Sequence, residues 1–170
     1  MQPSWRNRTA HSGSVQRCSG VVIGLLLLPI LLQACGIGTR ARALVGSKMR
    51  MQVQVSDNVN QQSPVALDLV LVYDKKLLKK LSNLPASDWF KQRRQYRRDY
   101  PDSTGFDAWR WEWVPGQNVP LQELPLKAKA KGGLIFVNYF SDGDHRARIE
   151  PNKSIYVDLH ETDFAVQPLR

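Results

Sequence analysis

The chain has 170 residues and a formal net charge of +9, from 24 basic and 15 acidic residues. Three of the basic residues and none of the acidic ones lie in residues 1–34, which have the character of a removable leader. The chain from residue 35 onward carries a net charge of +6 and is long enough for one domain with its own core. Cys18 would be removed with a leader of 34 residues, and Cys35 would then be the first residue of the mature protein, so neither would form a disulfide in the domain. The two histidines of the domain, His145 and His160, are too few for a structural zinc site, and we expect no metal and no cofactor.

Residues 1–34 have the three parts of a secretory signal. A basic segment is followed by an uncharged apolar run, Val21–Leu32, and by a small residue at the cleavage point. The run is shorter than a membrane span, which needs about 20 residues, and Pro29 would kink it. The sequence Leu-Gln-Ala-Cys that ends at Cys35 looks like a bacterial lipobox, in which the cysteine is lipidated and becomes the new N-terminus. We therefore expect an exported lipoprotein.

The segment that ends at Cys35 has three other possible interpretations. Cys35 could be an ordinary apolar residue of a cleaved signal, or the segment could be an uncleaved membrane anchor. An organellar transit peptide is disfavoured by the uninterrupted apolar core. Gly36 stands where an inner-membrane retention residue, commonly Asp, would follow the cysteine. By resemblance to the sorting pattern of such lipoproteins, this predicts the inner leaflet of the outer membrane, facing the periplasm.

The chain beyond the signal divides into a tether and a folded domain. We interpret residues 35–47 as a flexible tether and residues 48–170 as the domain. The first residues of the domain, KMRMQVQV, alternate between polar and apolar and predict a half-buried strand. Residues 57–63 predict a polar loop. The segment Pro64–Tyr73 is apolar on one face and interrupted only by Asp68 on the other, which predicts a central strand.

Two helices are predicted between the second and third strands. Asp74 can cap the first, which runs through Leu81, and Ser87 and Asp88 can cap the second, Trp89–Asp99. The second helix has a dense cationic surface, formed by Arg93, Arg94, Arg97 and Arg98. This surface could dock an acidic partner or phosphate headgroups, whereas a solvated helix face is the simpler interpretation. The chain has no nucleic-acid-binding motif, so we expect no nucleic acid partner.

The second half of the chain is rich in short strand signals. An aromatic ladder, Trp109, Trp111 and Trp113, places three indoles on one face of a strand. Such a ladder could bind sugar rings, but it more often fills the core of a small sandwich, and we favour the core. The further predicted strands are Val119–Leu126, Gly133–Ser141, Arg146–Glu150 and Ile155–Leu159, to which Asp163–Gln167 would add a short last one. A total of about seven strands predicts a mainly β fold, a two-sheet antiparallel β-sandwich with a helical insertion between strands two and three.

One acid–histidine group, Asp142, Asp144 and His145, is the best sequence candidate for catalysis. Neighbours on a tight turn do not converge in a cleft, as general acid–base chemistry requires, and Asp is favoured in turns for backbone reasons. The sequence has no nucleophile elbow, phosphate-binding loop, dinucleotide fingerprint or metal-ligand spacing. We therefore expect a protein that is not an enzyme and has no small-molecule substrate.

The order of these segments resembles the TssJ (SciN) lipoproteins of type VI secretion systems. A lipobox and a tether precede an Asn-containing loop that enters the second strand through Ser63-Pro64-Val65. The segments PVALDLVLVYD, WEWVPGQ and GLIFVNYFSDGDHR then follow in the family's order, with a helical insertion after the first. The resemblance implies a transthyretin-like sandwich that is held in the outer membrane by its lipid. It also implies that the domain grips the periplasmic part of TssM, an inner-membrane partner.

In that family the loop between the first two strands is important for the grip on TssM. The corresponding segment here is Asp57–Ser63, and the implied contacts are Asp57, Asn58, Asn60, Gln61, Gln62 and Ser63. The segment WFKQRRQYRRDYP and the following WRWEW are more basic and more aromatic than the family pattern. The alternative to an adaptor of a type VI secretion system is an envelope lipoprotein that binds glycan or peptidoglycan through the Trp ladder and the basic helix.

Overall fold

The computed structural model describes Gly46, residues 48–101 and residues 104–169. The predicted signal peptide, the lipidation site at Cys35 and nearly all of the predicted tether lie outside these residues. The described strands are β1 (Lys48–Val55), β2 (Val65–Val72), β3 (Phe106–Trp113), β4 (Gln122–Pro125), β5 (Gly132–Asn138), β6 (Arg146–Ile149), β7 (Ile155–Leu159) and β8 (Phe164–Pro168). Two α-helices, α1 (Lys75–Leu81) and α2 (Ala86–Asp99), lie between β2 and β3, as predicted.

The strands form two four-stranded sheets. The first sheet has the order β4-β1-β7-β8 and the second has the order β3-β2-β5-β6, which confirms the predicted two-sheet sandwich with its helical insertion. One pair, β1 and β7, is parallel, whereas the other five strand pairs of the described residues are antiparallel. The strands of the second sheet lie between β1 and β7 in the sequence, so β1 and β7 are not joined by a hairpin and need not be antiparallel.

The first hydrophobic core lies between the two sheets. Strand β1 alternates as predicted, with its four apolar side chains buried and the residues between them exposed or half-buried. The largest buried contributions from the strands are Met49, Met51, Leu67, Leu69, Leu71, Trp113, Ile135 and Leu159. Burial of such side chains contributes about 1.5–3 kcal/mol each, so this layer is the main source of stability.

A second hydrophobic core lies on the outer face of the second sheet, beneath α1 and α2. Val70 and Val72 point to this face, opposite to the first core, which explains why β2 is apolar on both sides. Trp89 from α2 is fully buried here and stacks on Phe136 of β5, with ring centroids 4.9 Å apart. The helices therefore cover the sheet surface that would otherwise be an exposed apolar patch.

The two helices begin in different ways. The Asp74 side chain accepts a hydrogen bond from the Leu77 amide at 2.7 Å, so the predicted cap of α1 is confirmed. Helix α2 begins at Ala86 rather than Trp89, and it has no side-chain cap. The predicted capping role of Ser87 and Asp88 is wrong because both residues lie inside the first turn, where the Ala86 amide donates to the Asp144 carbonyl at 2.8 Å and the Asp88 amide to the Pro85 carbonyl at 3.1 Å. Within the described part of the chain, no helix has both the length and the apolar character needed to cross a membrane.

The sandwich has two distinct ends. β1 begins next to the turn between β6 and β7, because the Arg50 amide donates to Ser154 Oγ at 3.1 Å. Gly133, near the start of β5, is paired with Ile149 at the end of β6 and with Leu71 near the end of β2. We call this the tether end, since the chain enters the domain here.

The opposite end carries the connection between β1 and β2. The Ser56 amide donates to the Leu159 carbonyl at 3.1 Å, at the point where β1 and β7 both finish. The Gly116 amide, in the turn after β3, donates to the Ser56 carbonyl at 3.2 Å. We call this the loop end.

Candidate functional site

The connection between β1 and β2 contains three consecutive residues in the left-handed region. The φ angles are 48° at Asn60, 55° at Gln61 and 61° at Gln62. This conformation costs a residue other than glycine about 1–2 kcal/mol. Such residues persist only where the surrounding structure holds them, and they concentrate at functional sites. We call Val59–Gln62 the left-handed turn.

Two buried residues hold the left-handed turn in place. The Val59 side chain is fully buried in the first core. Asn60 is only 2% exposed, and its amide group is used at both ends. Its Nδ2 donates to the Pro64 carbonyl at 2.8 Å, and its Oδ1 accepts from the Phe140 amide at 2.8 Å. Asn60 thus fixes the turn to the segment after β5, and its side chain is not presented to a partner.

The other residues that the sequence assigned to partner binding lie on the surface. Asp57, Asn58, Gln61 and Gln62 are exposed, and Ser63 is half-buried. Asn58 accepts from Ser56 Oγ at 2.7 Å and donates to Glu161 Oε2 at 3.0 Å, so the loop is also tied to the connection between β7 and β8. The loop end therefore presents a polar, fixed surface.

Sequence reasoning missed two exposed hydrophobic side chains beside this loop. Three large hydrophobic residues of the described chain are exposed, namely Val114 at 53%, Leu121 at 42% and Phe140 at 67%. Val114 follows β3, whose last residue pairs with the first residue of β2, and Phe140 donates its backbone amide to Asn60. Phe140 is the last residue of an apolar run whose pattern predicts a single buried strand. Strand β5 ends at Asn138, however, so Phe140 lies beyond the strand and its side chain is exposed.

His145 lies among several titratable residues around a surface pocket. The pocket has a volume of about 480 Å³ and is lined by Ser141–Ala147 and by Thr162–Phe164. His145 is buried, with Nδ1 3.4 Å from Asp163 Oδ1 and Nε2 2.9 Å from the Ser141 carbonyl oxygen. The Ser141 hydroxyl donates to the Thr162 carbonyl at 2.6 Å.

This arrangement does not support catalysis. The Nε2 atom of His145 faces the Ser141 carbonyl oxygen, so it donates a hydrogen bond and cannot act as a base toward the Ser141 hydroxyl. That hydroxyl already donates its hydrogen to the Thr162 carbonyl. The predicted neighbours Asp142 and Asp144 are exposed, and Asp144 pairs with Arg146 at 3.3 Å instead of with the histidine. The role of His145 is to join the turn after β5 to the connection before β8.

Tyr139 strengthens the same junction. Its hydroxyl donates to the Asp163 carbonyl at 2.8 Å. Burial raises the pKa of this hydroxyl well above its ordinary value, and the nearby Asp163 carboxylate adds to that effect. Tyr139 therefore remains a hydrogen-bond donor throughout the neutral pH range.

The four arginines of α2 divide into two pairs. Arg93 donates to both carboxylate oxygens of the buried Asp68, at 2.9 and 3.1 Å, and Arg97 lies over the Phe106 ring at 5.3 Å. Arg94 and Arg98 are exposed. Half of the predicted cationic surface thus belongs to the attachment of α2 to the sheet.

The Trp ladder faces the first core, as we favoured. Trp113 is buried, and Trp109 and Trp111 are half-buried against the same core. Trp111 and Trp113 stack on each other with centroids 5.9 Å apart, and Trp111 Nε1 donates to Gln122 at 3.1 Å. The stacked ring faces are therefore not available to a sugar. Among the described residues there is also no cluster of His, Cys, Asp and Glu that could hold a metal ion.

Comparisons with known proteins agree with the architecture. No family model and no curated protein matches the chain. Among solved structures, it is similar to the type VI secretion lipoprotein TssJ1 from Pseudomonas aeruginosa, with 13% identity, a TM-score of 0.57, and coverage of 74% of this chain and 98% of that one. It is also similar to Lip from Serratia marcescens, described as a membrane-bound component of the type VI secretion system, with 12% identity, a TM-score of 0.53, and coverage of 74% and 97%.

A further match is a chain from a structure described as the TssM C-terminal domain from EAEC. It has 11% identity and a TM-score of 0.53, and it covers 72% of this chain and 98% of that one. At such low identity these similarities establish the fold. The chain has the β-sandwich fold of the TssJ and Lip lipoproteins, which confirms the resemblance at the level of architecture.

Proposed function

We propose that this TssJ-like sandwich is a lipid-anchored, non-enzymatic adaptor of a type VI secretion membrane complex. In this proposal Cys35 carries the lipid in the inner leaflet of the outer membrane, and the domain faces the periplasm. The loop end binds a TssM-like inner-membrane protein. The observation that carries the proposal is the left-handed turn, a strained segment held rigidly between two exposed hydrophobic side chains.

The surface at the loop end has the composition of a protein-binding site. Exposed hydrophobic side chains, Val114 and Phe140, lie beside the polar residues Gln61 and Gln62. Protein interfaces combine apolar anchors with a polar rim in this way. Because the turn is already held by Asn60 and Val59, binding would require little ordering of the loop.

The position of this surface also suits an adaptor. The chain enters the domain at the tether end, and the left-handed turn lies at the opposite end. A lipid at Cys35 would therefore hold one end of the sandwich near the membrane, and the other end would face the periplasm. A partner that approaches from the inner membrane would meet the loop end first.

A pull-down with the periplasmic part of the TssM-like protein encoded with this chain tests the proposal. We expect the wild-type domain to recover it and the variant Gln61→Asp/Gln62→Asp, which keeps the buried Val59 and Asn60, to lose it. Circular dichroism of both proteins controls for folding. Full recovery by the folded double variant would remove the loop from the interface, and no recovery by the wild type would refute the adaptor role.

A further inference from the structure

Four basic side chains surround an open pocket at the tether end. The pocket has a volume of about 480 Å³, and its lining residues are Lys75, Leu78, Lys79, Ser82, Asn83, Lys131 and Arg148. Four of these carry positive charge and none is acidic. We call them, with their pocket, the cationic pocket.

The charges of the cationic pocket are not neutralised within the described chain. Several other surface cations have an acidic partner within 4.0 Å, as Lys127 has with Asp107 and Lys153 has with Glu150. None of the four pocket cations has such a partner among the described residues, and all four are exposed. An anion entering this pocket would thus meet four charges and displace no carboxylate.

Ser82 also lines this pocket, and its hydroxyl lies just beneath the surface. Ser82 Oγ is buried and has no hydrogen-bond partner among the described residues. Buried polar atoms are rarely left in this state, so the atom calls for a partner that the chain does not supply. Once the Ser82 side chain rotates toward the pocket, a phosphate oxygen would accept the hydroxyl hydrogen, and the neighbouring Lys and Arg side chains would neutralise the phosphate charge.

The positive charge of the domain is concentrated near this pocket. The segment from Asp74 to Asp99 contains nine basic and three acidic residues, whereas the rest of the chain from residue 35 on contains twelve of each. The whole excess of the predicted mature chain therefore lies in the helical insertion. Such segregation creates a field that attracts anions to one side of the molecule.

Three elements bring the pocket to the tether end. Helix α1 follows the last residues of β2, Lys131 directly precedes β5, and Arg148 lies near the end of β6, opposite Leu134. Leu78 of α1 packs against Gly132, where an added Cβ would lie 2.7 Å from the leucine side chain. The close approach permitted by this glycine sets α1 and the β5 start side by side.

We propose that the cationic pocket binds the phosphate group of an anionic glycerophospholipid in the membrane to which the chain is anchored. The proposal rests on the lipid anchor of the proposed function. Residues 35–47 span at most about 45 Å when extended, and about 20 Å on average as a random coil. The tether end would therefore be held within reach of the headgroups. Binding of the pocket would orient the domain with its loop end away from the membrane.

Vesicle sedimentation of a fragment spanning residues 36–170 tests this proposal without the lipid. The buried residues of both cores lie between Met49 and Leu159, so the fragment keeps the whole described fold. We expect it to bind phosphatidylcholine vesicles that contain phosphatidylglycerol and not vesicles of phosphatidylcholine alone. Failure to bind the anionic vesicles would overturn the proposal.

Matched variants locate the binding. The double variant Lys131→Gln/Arg148→Gln should weaken vesicle binding about tenfold or more, because each basic residue near an anionic membrane surface adds to the electrostatic free energy of binding. The control Lys91→Gln/Arg94→Gln removes the same charge from exposed positions on α2 and should weaken binding by less than about threefold. Equal losses would indicate a diffuse charge effect and would overturn a defined site.

A charge-neutral variant and soluble competitors separate the remaining possibilities. Ser82→Ala should weaken binding about fivefold, as expected for one lost hydrogen bond, and unchanged binding would mean that the phosphate does not lie in this pocket. Displacement by inorganic phosphate at a matched phosphate concentration, or by a poly-glutamate peptide, would reassign the site to a soluble anion or an acidic protein and overturn the lipid proposal.

The same variants distinguish this proposal from the proposed function. The pocket double variant should retain full recovery of the TssM-like partner, because its changes lie at the tether end. Loss of partner binding in that variant would contradict the assignment of separate surfaces. Conversely, a failed pull-down by the wild type would refute the adaptor role and leave the vesicle result standing.

Discussion

The buried carboxylate of Asp68 accepts a hydrogen bond from the indole Nε1 of Trp89 at 2.9 Å. Arg93 donates to the same carboxylate, so a strand of the second sheet and two successive turns of α2 share one acceptor. The single charge that interrupts the apolar pattern of β2 is thus the attachment point of the basic helix.

Replacement of Asp68 should therefore loosen α2. Asp68→Ala leaves the Trp89 indole without an acceptor and removes the partner of Arg93, and we expect the free energy of unfolding to fall by about 3 kcal/mol. Asp68→Asn keeps an acceptor for the indole and should cost about half as much. Urea unfolding measures both values. Arg110→Gln is the control, because that guanidinium lies 3.8 Å away and is half exposed, and it should cost less than about 1 kcal/mol.

Glycine should relieve the strain of the left-handed turn. At Gln61 the backbone has φ 55°, which glycine adopts without steric cost. We expect Gln61→Gly to be more stable than Gln61→Ala by about 1 kcal/mol in urea unfolding, since both lack the long side chain. The same pair of substitutions at Gln54, in extended β1, should give the opposite order. An identical order at both positions would contradict the left-handed conformation.

Asn60 should be important for the turn itself. Asn60→Ala removes the bonds to the Pro64 carbonyl and to the Phe140 amide, and we expect a loss of about 2–3 kcal/mol in stability. Asn60→Asp keeps an acceptor for Phe140 but sets a buried carboxylate oxygen against the Pro64 carbonyl, so it should be at least as destabilising. The exposed neighbour Asn58 provides the comparison, and Asn58→Ala should cost less than about 1 kcal/mol. Equal costs at the two positions would argue against Asn60 as the residue that fixes the turn.

The exposed hydrophobic residues at the loop end should carry much of the proposed partner affinity. Phe140→Asp or Val114→Asp places a charge in the interface, and we expect the dissociation constant for the TssM-like partner to rise at least about 30-fold. Leu121→Asp introduces the same charge at an exposed hydrophobic site before β4 and should leave affinity unchanged. Isothermal titration calorimetry measures all three. A larger effect at Leu121 would place the interface elsewhere.

The lipid anchor has its own test in Cys35→Ser. We expect this variant to leave the membrane fraction and appear in the soluble envelope fraction, because acyl chains supply about 0.8 kcal/mol per buried methylene. Fractionation at high salt screens any electrostatic attachment through the cationic pocket. Retention of the folded variant in the membrane pellet under these conditions would refute lipidation as the anchor.

Local patterns predicted the parts of this fold that depend on nearby residues. The alternation of β1 and the Asp74 cap are confirmed because each is determined within a few positions. The parallel pairing of β1 with β7 joins residues about a hundred positions apart, and no local pattern encodes it. The predicted start of α2 is wrong because the first amide of the helix, that of Ala86, donates to the distant Asp144 carbonyl and needs no polar side chain nearby in sequence.

In the candidate site, too, features set by nearby residues were predictable and features set by distant contacts were not. The polar composition of residues 57–63 predicted a loop, but the left-handed turn arises from contacts of Asn60 with Pro64 and Phe140, and the sequence VNQQ contains no glycine to signal it. Phe140 reads as part of a buried strand until the end of β5 is known. The alternation of the Trp ladder pointed to the core, where the structure places it.

The place of β1 in the first sheet has a mechanical consequence. β1 lies between β4 and β7, and it begins at the tether end and finishes at the loop end. In the proposed complex, tension between the two membranes would run along this strand. Backbone hydrogen bonds lie across a strand, so those to both neighbours would be loaded in shear and would have to break together rather than one by one. The domain would resist being pulled apart in the direction in which an envelope-spanning machine strains it.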